Sequence, residues 1–205
     1  MATVLLLRHG RTAWNANRQL QGWAPVQLDD RGREQARNVG TFLASTDRYA
    51  VDRIVHSDLA RTQETTALIT ASLSVPTRAD SAFRERDMGV YQGLSYDDVD
   101  ERFPAFALGR SGVDAADRTP ESGESYRALQ SRVREGWNDL LASLDPEECV
   151  LLVSHGGPIK TILGEIQSQP LENALVEGSP RNCALCEIAV ESEPTIVRRD
   201  VRPWE

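Results

Sequence analysis

The sequence predicts an α/β fold, a three-layer sandwich in which a mostly parallel sheet carries helices on both faces. Two apolar runs, Val4–Leu7 and Val150–Val153, have the continuous hydrophobic character of strands that are buried on both sides. Each run is followed by one polar residue and then by His-Gly. Strand-like and helix-like segments alternate along the chain, which is typical of a parallel sheet.

The first half of the chain begins this alternation with a strand. A helix opens at Leu28–Asp30, and its Ala36, Val39 and Leu43 share one apolar face. Ser57-Asp58 is placed to cap a second helix. The strands predicted here are Thr3–Leu7, Arg53–His56 and Thr77–Ala82.

The second half is irregular from Gly89 to Gly123, apart from a short helix near Ser95–Arg102. We expect this segment, about 89–123, to be an insertion over the active face of a single domain that spans residues 1–205. Ser125–Leu144 has an apolar stripe at helical spacing and predicts a core helix. Pro158 suits the first turn of the helix after the second apolar run. Two closing strands, Ala184–Val190 and Thr195–Asp200, are expected to be antiparallel at an edge.

Composition limits the partners. The net charge of −8 argues against a nucleic-acid partner, since phosphate backbones attract basic surfaces. No apolar run approaches the ~20 residues of a membrane span, and no secretory signal is visible, so we expect a cytoplasmic protein. Lys160 is the only lysine among 23 lysine and arginine residues. Either a GC-rich genome or a halophilic origin would explain this preference for arginine. A homodimer is also left open.

The spacing Cys183-x-x-Cys186 is that of a zinc or redox pair. However, it runs into a predicted strand, where positions three apart face opposite sides of the sheet. We therefore interpret both residues as ordinary buried cysteines.

The two His-Gly strand ends predict a site at the carboxyl edge of the sheet, where open α/β proteins bind ligands. His9 lies there beside Arg8, whose planar guanidinium suits phosphate, and beside Gly10, which lets a ligand approach the main chain. His155 reaches the same edge. Arg61 falls in the first turn of the helix after Ser57, where a cation is unfavourable because it opposes the helix dipole. This cost vanishes if Arg61 and the helix N-terminus face a bound anion together.

Glu85 lies in a charged, glycine-rich stretch, where a carboxylate can protonate a leaving oxygen and then activate water. Alone this signal is weak. The three histidines also allow a zinc site of His9, His56 and His155, but no His-x-His or His-x-x-x-His pairing occurs and nearby arginines would repel the metal. No metal and no cofactor are expected.

Together these segments resemble the histidine phosphatase superfamily, the phosphoglycerate mutase-like proteins. The resemblance covers residues 3 to about 165 and implies the corresponding fold. It rests on five blocks in the family order: Arg8–Thr12 with Asn15 and Leu20–Trp23, Ser57–Thr65, Glu85 with Gly89 and Gly93, Gly123–Ser125, and Ser154–Gly157.

The resemblance implies that His9 is the nucleophile that accepts a phosphoryl group, and that Glu85 is the general acid and base. Arg8, Arg61 and His155 would hold that group. The positions implied in phosphate or substrate binding are Thr12, Asn15, Gln21, Gly22, Ser57 and Gly156. Arg11 departs from the pattern, since the family usually has glutamate there.

The function expected from this resemblance is hydrolysis of a small phosphorylated metabolite through a phosphohistidine. The segment Thr119–Ser125 looks more like the phosphatases, whereas Arg86 and Tyr91–Gly93 retain a likeness to cofactor-dependent phosphoglycerate mutases. A mutase is the first alternative, and a non-catalytic binding protein on the same fold is the second. The sequence does not identify the substrate.

Overall fold

The computed structural model describes residues 1–202 and 204, with the side chains of residues 108–110 left out. Within these residues, six strands form one sheet in the order β3-β2-β4-β1-β5-β6. The strands are β1 Ala2–Arg8, β2 Arg53–His56, β3 Thr77–Ala79, β4 Cys149–Ser154, β5 Leu185–Val190 and β6 Pro194–Val201. The helices are α1 Ala13–Ala16, α2 Asp30–Ser45, α3 Ala60–Thr70, α4 Tyr96–Arg102, α5 Leu108–Asp117, α6 Tyr126–Ala142, α7 Gly156–Ile166 and α8 Leu171–Val176.

The sheet is parallel from β3 to β1, and β5 and β6 continue it in antiparallel orientation. β1 and β4 are neighbours in register, with Arg8 opposite Ser154. His9 and His155 therefore leave the sheet side by side at the same edge.

The alternation of side chains along the central strands divides the core into two layers. Val4 and Leu6 pack with residues of α6 and α7 on one face of the sheet, whereas Leu5 and Leu7 pack with residues of α2 on the other. All four side chains are fully buried, and each contributes about 1.5–3 kcal/mol of transfer free energy. The predicted α/β sandwich is confirmed.

The cysteine interpretation is also confirmed. Cys186 belongs to the core layer under α6 and α7, and Cys183 belongs to the opposite layer. The two thiols thus lie on opposite sides of the sheet. Burial raises the pKa of Cys149 to about 12 and also raises the pKa of Cys186.

Three local predictions were wrong. Leu59, not Ser57-Asp58, precedes the first turn of α3, and no side chain of the described residues forms a capping hydrogen bond there. The strand predicted over residues 77–82 ends at Ala79, because the Asp80 carboxylate accepts the Ala82 N–H and starts a 3₁₀ turn. The irregular segment contains a helix, α5, which is kinked at Gly112 where φ is +49°.

Candidate active site

A cavity of about 320 Å³ opens at the carboxyl edge of β1 and β4. Its lining includes eight of the eleven residues singled out from the sequence, namely Arg8, His9, Asn15, Gln21, Gly22, Arg61, Glu85 and Gly156. The other three, His155, Ser57 and Thr12, are fully buried immediately behind this lining. The remaining wall is formed largely by residues of the 88–126 and 160–179 segments.

The His9 ring is oriented by its own main chain. Its Nδ1 lies 2.7 Å from the Gly10 carbonyl oxygen, which can only accept a hydrogen bond, so Nδ1 carries the proton. Burial, followed by the charges of Arg61 and Arg8, holds the pKa of His9 well below its ordinary value. The ring is therefore neutral at pH 7, with the lone pair on Nε2.

The His155 ring has the opposite tautomer. Its Nδ1 accepts a hydrogen bond from Arg61 Nε at 3.2 Å, and its Nε2 lies 2.9 Å from Ser57 Oγ. Burial, together with the Arg61 charge, holds the pKa of His155 well below its ordinary value. The neutral ring must then carry its proton on Nε2 and donate it to Ser57 Oγ. The ring centroids of His9 and His155 are 5.1 Å apart.

Arg61 is almost completely buried beside these rings. Besides the bond to His155, its Nη2 donates to the Gly22 carbonyl oxygen at 2.8 Å. Gly22 has a φ of +51°, and a Cβ there would lie 2.8 Å from the Met88 nitrogen, so the turn that offers this carbonyl requires glycine. Burial lowers the pKa of Arg61 to about 10, which still leaves it cationic at neutral pH.

Arg8 extends from the end of β1 into the same cavity. Its Nη1 donates to the Pro180 carbonyl oxygen at 2.8 Å, while its buried Nε has no hydrogen-bond partner among the described residues. Neither Arg8 nor Arg61 forms an ion pair within the described part of the chain. Two guanidinium groups therefore line the cavity beside His9 without an ion pair to any described carboxylate, an arrangement that suits an anion.

Glu85 reaches the cavity from the loop after β3. Its Oε1 accepts the Arg86 N–H at 2.9 Å, and its Oε2 accepts the Gly157 N–H at 3.2 Å. Its main-chain carbonyl is held by Trp23 Nε1 at 2.7 Å. The carboxylate is thus fixed between its own loop and the first turn of α7.

Arg11 and His56 face away from this chemistry. Arg11 Nε forms an ion pair with Asp29, the residue that caps α2, at 2.7 Å, and Arg11 does not line the cavity. His56 Nδ1 lies 2.8 Å from the Ser57 carbonyl oxygen.

Sequence reasoning missed the contribution of the segment between α8 and β5. Pro180 receives Arg8, and Asn182 Nδ2 donates to the His9 carbonyl oxygen at 3.0 Å. Lys160 of α7 holds the junction between α8 and this segment by donating to the carbonyl oxygens of Leu175 and Glu177. Main-chain carbonyls leave no residue-type signal, so the sequence does not mark this segment.

Comparisons with known proteins find similar chains that are matched over most of this sequence. A sequence model of the histidine phosphatase superfamily (branch 1) matches residues 4–200. Phosphoglycerate mutase-like protein 4 of Arabidopsis thaliana is 33% identical over 166 residues, which cover 78% of this chain and 69% of the relative. A probable phosphoglycerate mutase GpmB of Enterobacter sp. (strain 638) is 32% identical over 196 residues, 95% of this chain and 87% of the relative.

A solved structure adds a likeness at the level of the fold. The mycobacterial glucosyl-3-phosphoglycerate phosphatase in complex with VO3 superimposes with a TM-score of 0.84 at 26% identity, covering 98% of this chain and 99% of that one. Within the residues that the structure describes, no helix is both long and apolar enough to cross a membrane.

Proposed function

The chain belongs to the histidine phosphatase superfamily, and from that premise we propose that it hydrolyses a small phosphomonoester through a phosphohistidine formed on His9. The observation that carries this proposal is the neutral His9 ring, which has a free lone pair on Nε2 and lines the same cavity as Arg8 and Arg61. A nucleophile of this kind needs a neutral ring held in one tautomer.

In the first step, His9 Nε2 attacks phosphorus, the new P–N bond forms, and the P–O bond to the alcohol breaks. Glu85 acts as the general acid: it gives a proton to the departing oxygen and is left as a carboxylate. In the second step, a water attacks phosphorus and gives a proton back to Glu85, the P–N bond breaks, and phosphate leaves. The same carboxyl group thus serves as acid and then as base.

Phosphoryl transfer depends mainly on positioning and on stabilising charge at the equatorial oxygens. Arg8 and Arg61 supply two permanent cations inside a largely buried site, where electrostatic interactions are strong. His155 contributes by holding Arg61 through its Nδ1 and by lying against the His9 ring. Asn15, Gln21, Gly22 and Gly156 would contact the substrate, whereas Thr12 and Ser57 would act from behind them.

The cavity volume of about 320 Å³ is at the lower end for small-molecule sites, so the substrate is a small metabolite. The glucosyl-3-phosphoglycerate phosphatase among the similar structures supports hydrolysis. The names of the sequence relatives favour the alternative, a phosphoglycerate mutase, in which the phosphoryl group returns to a second position of the bound substrate.

The test is His9→Ala, assayed against a panel of phosphomonoesters. We expect hydrolysis to be abolished with the fold intact, and the parent protein to form an acid-labile phosphoryl adduct that the variant lacks. Hydrolysis at the parent rate in the variant would refute the nucleophile assignment. In the same panel, 3-phosphoglycerate with 2,3-bisphosphoglycerate should yield little 2-phosphoglycerate, and rapid interconversion would establish the mutase instead.

A further inference from the structure

Asn182, in the turn between α8 and β5, forms hydrogen bonds with two residues of the site. One is His9, the proposed nucleophile, and the other is Asn15, which is predicted to bind phosphate. Its Nδ2 donates to the His9 carbonyl oxygen at 3.0 Å and to Asn15 Oδ1 at 3.3 Å. Because a main-chain carbonyl can only accept, the atom that faces it must be nitrogen. The orientation of the Asn182 amide is therefore fixed.

The orientation of the Asn15 amide follows in the same way. Its Oδ1 accepts the Thr12 main-chain N–H at 3.2 Å as well as the Asn182 amide. An atom that faces two N–H groups must be oxygen, so Nδ2 points away from both. Asn15 lines the cavity, and its Nδ2 has no acceptor within the residues that the structure describes.

We propose that Asn182 is a positioning residue for phosphoryl transfer. Together with the main-chain N–H and the hydroxyl of Thr12, it holds Oδ1 of Asn15, so that Asn15 presents its two N–H donors to the phosphate oxygens. A flipped Asn15 amide would instead present a carbonyl oxygen to a phosphate dianion, and that contact is repulsive. This inference rests on the proposed function, since it assigns a role within the same site.

The turn that carries Asn182 is built onto the end of β1. The Cys183 N–H donates to the Arg8 carbonyl oxygen at 2.9 Å, and the Ala184 N–H closes the turn on the Arg181 carbonyl oxygen at 3.0 Å. Cys183 has a φ of +56°, an uncommon conformation for a side-chain-bearing residue that persists where surrounding contacts impose it. Asn182 is therefore placed by the same strand that carries Arg8 and His9.

The experiment measures the Kd of inorganic phosphate by calorimetry, and kcat and KM for one phosphomonoester, in Asn182→Ala, Asn15→Ala and the double variant. Asn173→Ala is the matched control, because Asn173 is an exposed asparagine on α8 outside the cavity lining. Asn182→Asp keeps the shape of the side chain but places a carboxylate against the His9 carbonyl oxygen and Asn15 Oδ1, the two oxygens to which Asn182 donates. Thermal unfolding of every variant reports on the fold.

We expect Asn182→Ala to raise the phosphate Kd and KM by about 10-fold, the equivalent of one or two lost hydrogen bonds, with kcat within about 3-fold. Asn182→Asp should weaken phosphate binding further. In the Asn15→Ala background, Asn182→Ala should change the phosphate Kd by less than about 2-fold, because the Asn15 amide that Asn182 orients is absent.

Two results would overturn the proposal: an Asn182→Ala variant that matches Asn173→Ala, or effects of Asn15→Ala and Asn182→Ala that multiply in the double variant. Failure of the parent protein to hydrolyse any phosphomonoester would overturn the proposed function instead, and the phosphate titration would still decide the role of Asn182. A parent protein that does not bind phosphate would overturn both.

Discussion

Replacing Gly157 with alanine should lower turnover by about 100-fold without destabilising the protein. A Cβ at this position would lie 2.2 Å from Glu85 Oε1, and real Cβ atoms essentially never approach within 3.0 Å of another heavy atom. The carboxylate must therefore move by at least about 0.8 Å, a displacement comparable with the ~1 Å that costs about 100-fold in rate. Glu85 cannot yield without loss, because its Oε2 also accepts the Gly157 N–H.

The thermal stability of Gly157→Ala should be equal to or higher than that of the parent protein. Gly157 lies in the first turn of α7, and its backbone does not require glycine, since its φ lies outside the left-handed region. Alanine is favoured over glycine in helices by up to about 1 kcal/mol, because glycine loses more conformational freedom on folding. A melting temperature equal to or above that of the parent protein would separate the loss of activity from a loss of fold.

The assay compares two substrates that differ in their leaving group, an alkyl phosphate and a nitrophenyl phosphate. An alkoxide needs a proton to leave, whereas a nitrophenolate does not, so Gly157→Ala should impair the alkyl ester far more. Gly178→Ala is the control, because a Cβ there meets nothing within 4 Å. An unchanged kcat, or an equal loss with both esters, would refute the view that Glu85 acts as an acid from this position.

Two further predictions concern the buried cationic and imidazole groups. Arg61→Lys should reduce kcat/KM by at least about 100-fold, because one ammonium cannot hydrogen-bond to both His155 and the Gly22 carbonyl oxygen while facing phosphate. A loss under about 10-fold would show that the positive charge alone is sufficient. The depressed pKa values of His9 and His155 mean that the unfolded chain binds more protons below about pH 6.5. The free energy of unfolding should therefore fall as the pH drops from about 6.5 to 5, on the order of 1 kcal/mol per pH unit for each histidine. Urea titrations at several pH values would measure this dependence, and His155→Gln should make the free energy of unfolding less dependent on pH. A free energy of unfolding that does not change with pH would contradict this prediction.

The elements that could be predicted from the sequence are those whose signal is local. Strands β1 and β4 are continuous apolar runs, and a run buried on both faces has few alternatives to a central strand. Their common His-Gly ending then placed two imidazoles at one edge, because parallel neighbours end together. Arg61 was found because a cation in the first turn of a helix is unfavourable without a compensating anion.

The failed prediction of a helix cap at Ser57-Asp58 reflects contacts with residues that are distant in the sequence. Ser57 is a residue type that often caps helices, yet its Oγ faces the Nε2 of His155 at the end of the neighbouring strand β4. The Asp58 carboxylate forms an ion pair with Arg84. The role of residues 175–182 was invisible for a related reason. Most of that segment acts through main-chain carbonyls, which every residue type carries, so only the folded chain shows which of them face Arg8 and Lys160.

The repeated His-Gly pattern also suggests two equivalent histidines, and their surroundings make them unequal. His9 uses Nδ1 to donate to the adjacent carbonyl, which leaves the Nε2 lone pair available at the cavity. His155 has both nitrogens engaged, since Nδ1 accepts from Arg61 and Nε2 faces Ser57. A ring without an available lone pair cannot attack phosphorus, so these hydrogen bonds support the proposal that His9 attacks and that His155 holds Arg61.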